Sequence, residues 1–404
     1  VLYRLKKSGY QAYLVGGCVR DLLLGREPKD FDVVTDARPE DVKRIFRNCR
    51  LIGRRFRLAH ICFGRDVVEV ATFRGSEKGD RVIKDGRLIR DNVYGTIEED
   101  AWRRDFSVNA LYYNIRDFSL VDYVGGIEDH QAGSLRLIGD PEERYREDPV
   151  RMLRAIRFAT KLGFNLHSDS ALAIKDFSFL LRDVPPPRLY DEVLKLFLSG
   201  YAVQTFEQLR HYDLFKPLFP DTDKYLETQN KNFPSIFLAK ALKNADRRLA
   251  EGKSVTPYFL FAIFLWGPLR TVIEQKIKLG QNESNAFHES VGEVILKQVQ
   301  YLSFPRRVSA QVREVWSLQW AFKKTVGGAP YRLLRRPRFR AAYDFFVLRA
   351  ETGEADPEIA KWWTTFQEAS DDDRKKMTRG KGGRQKKRPR RKRSNQVRSA
   401  TIAP

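Results

Sequence analysis

Within Leu14 to Val34, LVGGCVRDLLLGREPKDFDVV, a double glycine, an arginine and an Asp-x-Asp pair lie close enough to share one site. The apolar run from Ala12 to Val15 leads into Gly16-Gly17, where the missing Cβ atoms let backbone N–H groups approach a bulky anion, and phosphate is the natural guest. Val19 to Leu24 reads as a short helix opening just after the glycines, so its N-terminal dipole and the Arg20 guanidinium favour the same anion. Gly25 and Pro28 end that helix. Asp30 and Asp32 follow in a β-like run, Asp30 to Val34, in which residues i and i+2 share a face. Two carboxylates so placed repel unless a cation lies with them, and a hard oxygen-binding ion such as Mg²⁺ is the simplest remedy. Asp-x-Asp by itself reads as a polar turn before a strand; the glycines and Arg20 at this spacing favour the metal.

The elements that must position these residues read as mixed α/β over residues 1–135. Pro39 to Phe46 is helical, and Phe56 to Phe63 and Val67 to Phe73 form two strands joined by the turn Gly64-Arg65-Asp66. Glu69 sits among Val67, Val68 and Val70, either as a third carboxylate beside Asp30 and Asp32 or as an edge-strand charge facing water. Gly75 to Arg90 is polar and reads as a mobile loop. Ile97 to Asn109 looks helical and carries Arg103-Arg104-Asp105, two arginines and an acid that suit a triphosphate with a ribose or metal, or a solvated face with internal ion pairs. Leu120 to Gly126 closes the module as a strand and a Gly-Gly turn.

From about residue 136 the pattern is helical. Asp148 is placed to cap a helix with Pro149 at its first position, running to a stop at Gly163, with Leu153, Ile156 and Ala159 on one face and Arg151, Arg154 and Arg157 on another. That basic stripe suits phosphate or is a solvated face. Pro185-Pro186-Pro187 precedes a helix from Arg188 to Leu198. Seven further segments follow: Ala202 to Tyr212, Pro234 to Ala250, Pro257 to Phe264, Arg270 to Leu279, Val291 to Tyr301, Arg307 to Lys324 and Pro337 to Arg349. Most are too apolar to stand alone, which calls for an all-α body. Trp316, Trp320, Trp362 and Trp363 read as packing residues. Residues Arg374 to Arg398 hold about fourteen Lys and Arg with almost no large apolar side chain, so a disordered basic tail is expected over 371–404.

Composition bounds the function. A chain of 404 residues, 42% hydrophobic and 12% aromatic, can bury two to four cores. No apolar run approaches the roughly 20 residues needed to span a bilayer. Val1 in place of an initiator methionine suggests a trimmed N-terminus. Three cysteines, Cys18, Cys49 and Cys62, form no CxxC pair, and the odd count argues against a disulfide scaffold and fits a reducing cytosol. A net charge of +22 points to a polyanionic partner, nucleic acid ahead of an anionic membrane surface.

Leu14 to Val34, GRRFRLAH from Gly53 to His60, Arg103 to Phe106, and RYREDPVRMLRAIRF from Arg144 to Phe158 together resemble the class II tRNA nucleotidyltransferase and bacterial poly(A) polymerase family, within the DNA polymerase beta-like nucleotidyltransferases. The resemblance is strong over roughly residues 1–220. It implies a nucleotidyltransferase head (1–135), a helical neck that binds base and RNA (136–200), a helical body (201–325), a helical C-terminal RNA-binding region (326–370) and the tail (371–404).

By that resemblance Gly16, Gly17 and Arg20 hold the triphosphate, and Asp30 and Asp32 bind two Mg²⁺ ions that activate an RNA 3′-hydroxyl and stabilise departing pyrophosphate. Asp105, with Arg104 beside it, matches a motif that contacts ribose and supplies an active-site acid; Asp105 is favoured over Glu69 to complete the metal cluster. Glu147, Asp148 and Arg151 match the element that reads the base edge without a template, with Arg154 and Arg157 facing phosphate. The arginine-rich neck motif and basic tail look like the poly(A)-adding branch, with ATP as substrate, RNA 3′ ends as acceptors, RNA-degradation machinery as a further partner and the cytoplasm as the compartment. The alternatives are CCA addition to tRNA and an inactive RNA-binding protein. Lys386, Lys387, Arg388, Arg390, Arg391, Lys392 and Arg393 are the expected tail contacts to RNA; deleting Arg374 to Pro404 is expected to weaken RNA affinity and flatten its salt dependence, measured by binding titrations across salt concentrations, while nucleotide incorporation survives.

Overall fold

Alternating apolar residues in the N-terminal third build one twisted sheet. The structure is a computed structural model describing residues 1–53, 57–75, 82–84, 87–90, 93–229 and 236–379. It divides into two units, Val1–Val312 and Arg313–Pro404. The first opens with α1 (Leu2–Lys7), β1 (Ala12–Val15), α2 (Gly17–Leu23), β2 (Asp32–Thr35), α3 (Pro39–Ile45), β3 (Cys49–Ile52), β4 (Leu58–Phe63) and β5 (Asp66–Thr72). There follow β6 (Val82–Lys84), β7 (Arg87–Arg90), α4 (Ile97–Arg103), β8 (Leu111–Asn114), β9 (Leu120–Asp122) and α5 (Gly126–Gln131). Seven strands pair in the order β3-β4-β5-β2-β1-β8-β9. The β2–β5 pair is parallel and its neighbours are antiparallel, so the sheet is mixed as expected.

Period two sends Val33 and Val70 to one face with Leu5, Val42 and Phe46, and Val34, Ala71 and Phe73 to the other with Ala101, Tyr112 and Ile138. Asp32 and Glu69 precede Val34 and Ala71 by two residues and share that second face. Asp30 lies before β2 rather than within it.

Two local expectations are corrected. The helix expected from Ile97 to Asn109 stops at Arg103; Arg104 is extended, and a single 3₁₀ turn covers Ser107–Asn109. The reason is tertiary: Ser107 N–H donates to Arg136 O and Ile138 N–H to Asp105 O, both at 3.0 Å, a short backbone pairing that the helix would forbid. The polar stretch Gly75 to Arg90, expected to be a loop, contains the antiparallel pair β6–β7; residues 76–81 and 85–86 are outside the described residues, as are Arg54 to Phe56.

The helical part begins with α6 (Pro141–Glu147), α7 (Val150–Leu162), α8 (Ser168–Phe177) and α9 (Pro186–Phe197), with a parallel two-residue pair, β10 (Ser134–Leu135) and β11 (Asn165–Leu166), beside them. Gly163 ends α7 in the left-handed region at φ 76°. Helix α7 starts one residue later than expected, with Pro149 rather than Asp148 at its N-cap; Asp148 closes α6, its Oδ1 accepting from Val150 N–H at 3.2 Å. Leu153 and Ile156 are fully buried, as their spacing requires. Helices Ala202–His211, Pro220–Gln229, Ile236–Ala250, Pro257–Phe264, Trp266–Lys278 and Glu283–Tyr301 continue the unit around the packed rings of Phe215, Phe219, Phe261 and Phe264. Cys18, Cys49 and Cys62 are free thiols. Among the described residues no helix is long and apolar enough to cross a membrane.

In the second unit the helix expected from Arg307 to Lys324 ends at Leu318 and gives way to a 3₁₀ turn, Ala321–Lys323. Its core gathers Phe322, Phe339, Phe346, Trp363 and Phe366, with Trp363 Nε1 donating to Phe322 O at 2.8 Å. The tail boundary moves: Asp371–Met377 is a helix capped by Ser370. Arg374 donates to the Phe366 and Gln367 carbonyls at 2.9 and 2.7 Å, and Thr378 O accepts from Gly327 N–H at 3.0 Å. The remainder, with Lys386, Lys387, Arg388, Arg390, Arg391, Lys392 and Arg393, lies outside the described residues. A chain cut before Arg374 therefore loses bonds worth about 1 kcal/mol each and should melt several degrees lower by calorimetry.

Candidate active site

The glycine turn after β1 is shaped for close approach. Gly16 has φ 76° and ψ −129°, and a Cβ there would lie 3.5 Å from both Arg104 Nη1 and Asn109 O. Arg20, expected at phosphate, is buried: its Nε and Nη2 reach Asp21 Oδ1 at 2.9 and 2.6 Å, its Nη1 reaches Asn109 Oδ1 at 2.5 Å, and it covers the Phe158 ring. The fork thus fastens α2 to the 3₁₀ turn and commits its Nε and one hydrogen of each Nη to protein acceptors.

The sheet sets Glu69 directly alongside Asp32, as Cα partners across the parallel β2–β5 pair. Burial, then the Glu69 and Asp30 charges, push the Asp32 carboxyl up, and Arg104 partly offsets them. Glu69 also faces His60 in register, with His60 Nε2 3.3 Å from Glu69 Oε2. Among the described residues no group of three or more His, Cys, Asp or Glu side chains converges closely enough to hold a metal by itself. The acids form an open oxygen donor set rather than a closed cage.

Arg104 is held by partners that the sequence reading did not single out. Asp100 Oδ2 accepts from Arg104 Nε and Nη2 at 3.1 and 3.0 Å and from Tyr112 Oη at 2.8 Å, while Asp100 Oδ1 takes the Arg74 N–H at 3.2 Å. Burial, with Asp100 beside it, keeps the Tyr112 phenol protonated far above its ordinary range. The four-residue spacing of Asp100 and Arg104 was the available signal for this ion pair. Arg144 reaches from α6 to the Arg103 and Arg104 carbonyls at 3.0 and 2.6 Å, so the neck grips the end of α4.

Asp105, which lines the same cleft as Glu69, is paired with Arg154 of α7. Arg154 Nε donates to Asp105 Oδ2 at 2.8 Å and Nη2 reaches the same oxygen, while Oδ1 accepts from Asn109 Nδ2 at 3.2 Å and Phe106 N–H at 2.9 Å. Burial alone would raise the Asp105 carboxyl, but Arg154, Asn109 and the Phe106 N–H together hold it below the ordinary range. Glu147 bridges Arg144 and Arg151 at 2.8 and 2.6 Å, and Asp148 Oδ2 accepts from Arg188 of α9 at 2.7 Å, another partner absent from the sequence reading. Arg157 lies 4.3 Å over the Phe158 ring, and its Nε is buried without a hydrogen-bond partner among the described residues.

Glu69, Asp100, Arg104, Asp105, Asp148, Arg151 and Arg154 line a cleft of about 460 Å³, whereas Asp32, Glu147 and Arg157 are not among its lining residues. Its floor is Leu58, Glu69 and Ala71, one wall is Asp100, Arg103, Arg104 and Asp105, and the neck adds Asp148, Arg151 and Arg154. Arg57, Thr72, Arg74, Val93 and Tyr94 complete the lining. The volume suits a nucleotide-sized ligand, and the surplus of arginines over acids suits a polyphosphate.

Residues 12–136 match the model of the poly A polymerase head domain, residues 163–226 that of the probable RNA and SrmB-binding site of polymerase A, and residues 279–397 that of the polymerase A arginine-rich C-terminus. Poly(A) polymerase I of Salmonella typhimurium is 46% identical over 390 residues, 93% of this chain and 83% of the relative. A CCA-adding enzyme of Lactobacillus helveticus is 38% identical over 207 residues, 51% of each chain. The solved CCA-adding enzyme of Bacillus stearothermophilus in complex with CTP shares the fold with a TM-score of 0.56 at 26% identity, over 90% of this chain and 79% of that one.

The Asp105–Arg154 pair carries a stability signature. Because the folded-state pKa of Asp105 is depressed, its contribution is fully present above the unfolded carboxylate value near ~4 and is lost as pH falls through the folded value. Asp105→Asn should therefore cost about 3 kcal/mol in urea unfolding at pH 7, by leaving Arg154 unpaired, and should flatten the acid limb of the stability curve below about pH 4.

Proposed function

The chain belongs to the poly(A) polymerase I family, and on that premise we propose how its residues carry out template-independent polyadenylation, in which AMP passes from ATP to an RNA 3′-hydroxyl and pyrophosphate leaves. The observation that carries the reading is the juxtaposition, in one arginine-rich cleft of a chain so related, of the Glu69 floor beside Asp32 with the base-reading pair Asp148 and Arg151. CCA- and CC-adding relatives match 51 to 78% of the chain at 35 to 38% identity, against 93% at 46% for the poly(A) polymerase of Salmonella typhimurium, which favours poly(A) over CCA addition.

Gly16 and Gly17 present backbone to the triphosphate, with Arg20 supplying charge from beneath and Arg104 Nη1 lying against the turn. Arg157, with its desolvated guanidinium, is the neck arginine placed to gain most from a phosphate oxygen. Asp148 offers an acceptor and Arg151 donors to the base edge, held in place by Arg188 and Glu147; this fixes which base enters without a template. Arg154, bound to Asp105, keeps the neck wall against the head, and Asp105 faces the ribose side of the nucleotide. Asp30 and Asp32, with Glu69 alongside, are the residues that would hold two Mg²⁺ ions. The fit is good in kind, since Mg²⁺ takes one or two carboxylates and completes its shell with water and substrate phosphates. When bound, the ions neutralise charge on the reacting phosphate and lower the proton affinity of the 3′-hydroxyl. Burial and the neighbouring acids leave Asp32 in need of such a counter-charge.

In this reading the head (1–135) holds the chemistry, the neck (136–200) reads the base, and the body (201–325), the C-terminal region (326–379, including the helix Asp371–Met377) and the basic tail (380–404) hold RNA. The tail works by counterion release, without base preference. Acting in the cytoplasm, the product would feed RNA-degradation machinery with unstructured 3′ ends.

Asp32→Ala should lower nucleotide incorporation by at least about 10³-fold with RNA affinity nearly intact, since only the charge that stabilises transfer is lost; extension at the normal rate refutes the assignment. Incubation with each NTP and either a generic RNA or a tRNA lacking its 3′ end, followed by sequencing, should yield long A-only additions. A halt after C-C-A sinks the polyadenylation reading.

A further inference from the structure

The donor site proposed above uses the neck wall of the cleft and leaves the wall contributed by the edge of the head without a role. That wall consists of Arg57 at the entry to β4, Arg74 just past β5, and Tyr94 ahead of α4. Arg74 and Tyr94 form an antiparallel bridge, closed by Gly75 N–H to Val93 O at 2.9 Å and Gly95 N–H to Phe73 O at 3.0 Å. The two glycine backbones touch: a Cβ on Gly95 would collide with Gly75 Cα and with Glu99 Oε2. Tyr94 is thus held at the cleft by main-chain bonds, with its ring half-buried and the Arg38 guanidinium 5.6 Å from its centroid. Arg57 is paired with Glu40 at 2.5 Å, both well exposed, a contact that solvent makes easy to exchange. Tyr94 is the aromatic among the described lining residues.

Transfer to a hydroxyl needs the attacking oxygen and the leaving pyrophosphate roughly in line, so the acceptor must approach the α-phosphate from the side away from the pyrophosphate. We infer that the Arg57–Arg74–Tyr94 wall receives the acceptor: the base of the RNA 3′-terminal nucleotide stacks on Tyr94, and Arg57 and Arg74 take its backbone phosphates. The inference rests on the neck reading of the ATP base. The two walls differ in chemistry as the two substrates require. The neck wall carries a carboxylate and an arginine aimed at one base edge, which suits a donor that must always be ATP. The head wall carries an aromatic face and cations, which accept any base through its π-surface and any backbone through its charge. An acceptor whose terminal base changes once adenylates accumulate needs the second kind of site.

The test measures steady-state incorporation with a short single-stranded RNA acceptor and, separately, ATP binding without RNA, for the full chain and for Tyr94→Ala, Tyr94→Phe, Arg57→Ala and Asp148→Ala. Tyr94→Ala should raise the acceptor KM about tenfold, Tyr94→Phe should restore it, and both should bind ATP as the parent does, which also shows that they fold. Arg57→Ala should raise the acceptor KM and flatten its salt dependence. Weakened ATP binding in Tyr94→Ala, or an unchanged acceptor KM, overturns the assignment. Unchanged ATP binding in Asp148→Ala instead overturns the donor reading beneath it, and the two arms report separately.

Discussion

The pair between Asp105 and Arg154 joins two parts of the first unit that are otherwise built on different rules, a sheet with period two and helices with period 3.6. The chain leaves α4 extended at Arg104, the Asp105 carbonyl accepts from Ile138 N–H, and the Asp105 carboxylate meets Arg154 of α7. Arg144 repeats the connection one layer away through the Arg103 and Arg104 carbonyls. With these bonds in place Arg151 and Arg154 line one cleft with Glu69 of the sheet. Breaking such a pair from one side leaves an uncompensated buried charge, so the interaction specifies position more than it adds net stability.

The sheet imposes the complementary constraint. Parallel pairing of β2 with β5 requires the crossover through α3, β3 and β4, and it is this crossover that brings Glu69 to Asp32 from thirty-seven positions away in the chain. The acids repel, and the open arrangement keeps them near a surface where cations and phosphate oxygens can enter. Arg104 stands at the junction, tied by Asp100 and Tyr112 on one side and lying against the Gly16 turn on the other. The buried phenol and carboxylate hold the guanidinium where its remaining nitrogen meets the glycines, which is a preorganised rather than an induced contact.

The roles of individual arginines differ from what spacing suggests. Arg20, Arg104, Arg144 and Arg154 all spend hydrogen bonds on protein acceptors, so much of the cationic character of the site is structural as well as electrostatic. Arg157 is the contrasting case, resting on a phenylalanine ring with a buried Nε that no described group satisfies. Charge patterning along α7 identified three arginines on one face; it could not rank them, because their partners come from Asp105 and Glu147 on other elements.

Much of this protein was legible in its residues. The glycine turn, the Asp-x-Asp pair, the mixed head followed by helices and the core faces of α7 follow from local rules: missing Cβ atoms, two periodicities, caps and breakers. Strand β3 and helix α8 escaped notice because four-residue strands and weakly amphipathic helices carry little periodic signal. What only the tertiary structure decided are the partnerships: Glu69 beside Asp32, Asp105 with Arg154, Asp100 and Tyr112 beneath Arg104, Arg188 on Asp148, and Tyr94 at the cleft. Local sequence sets the direction in which each side chain leaves its own element. Which charge meets it is a property of strand order and helix packing, and these depend on contacts between residues far apart in the chain.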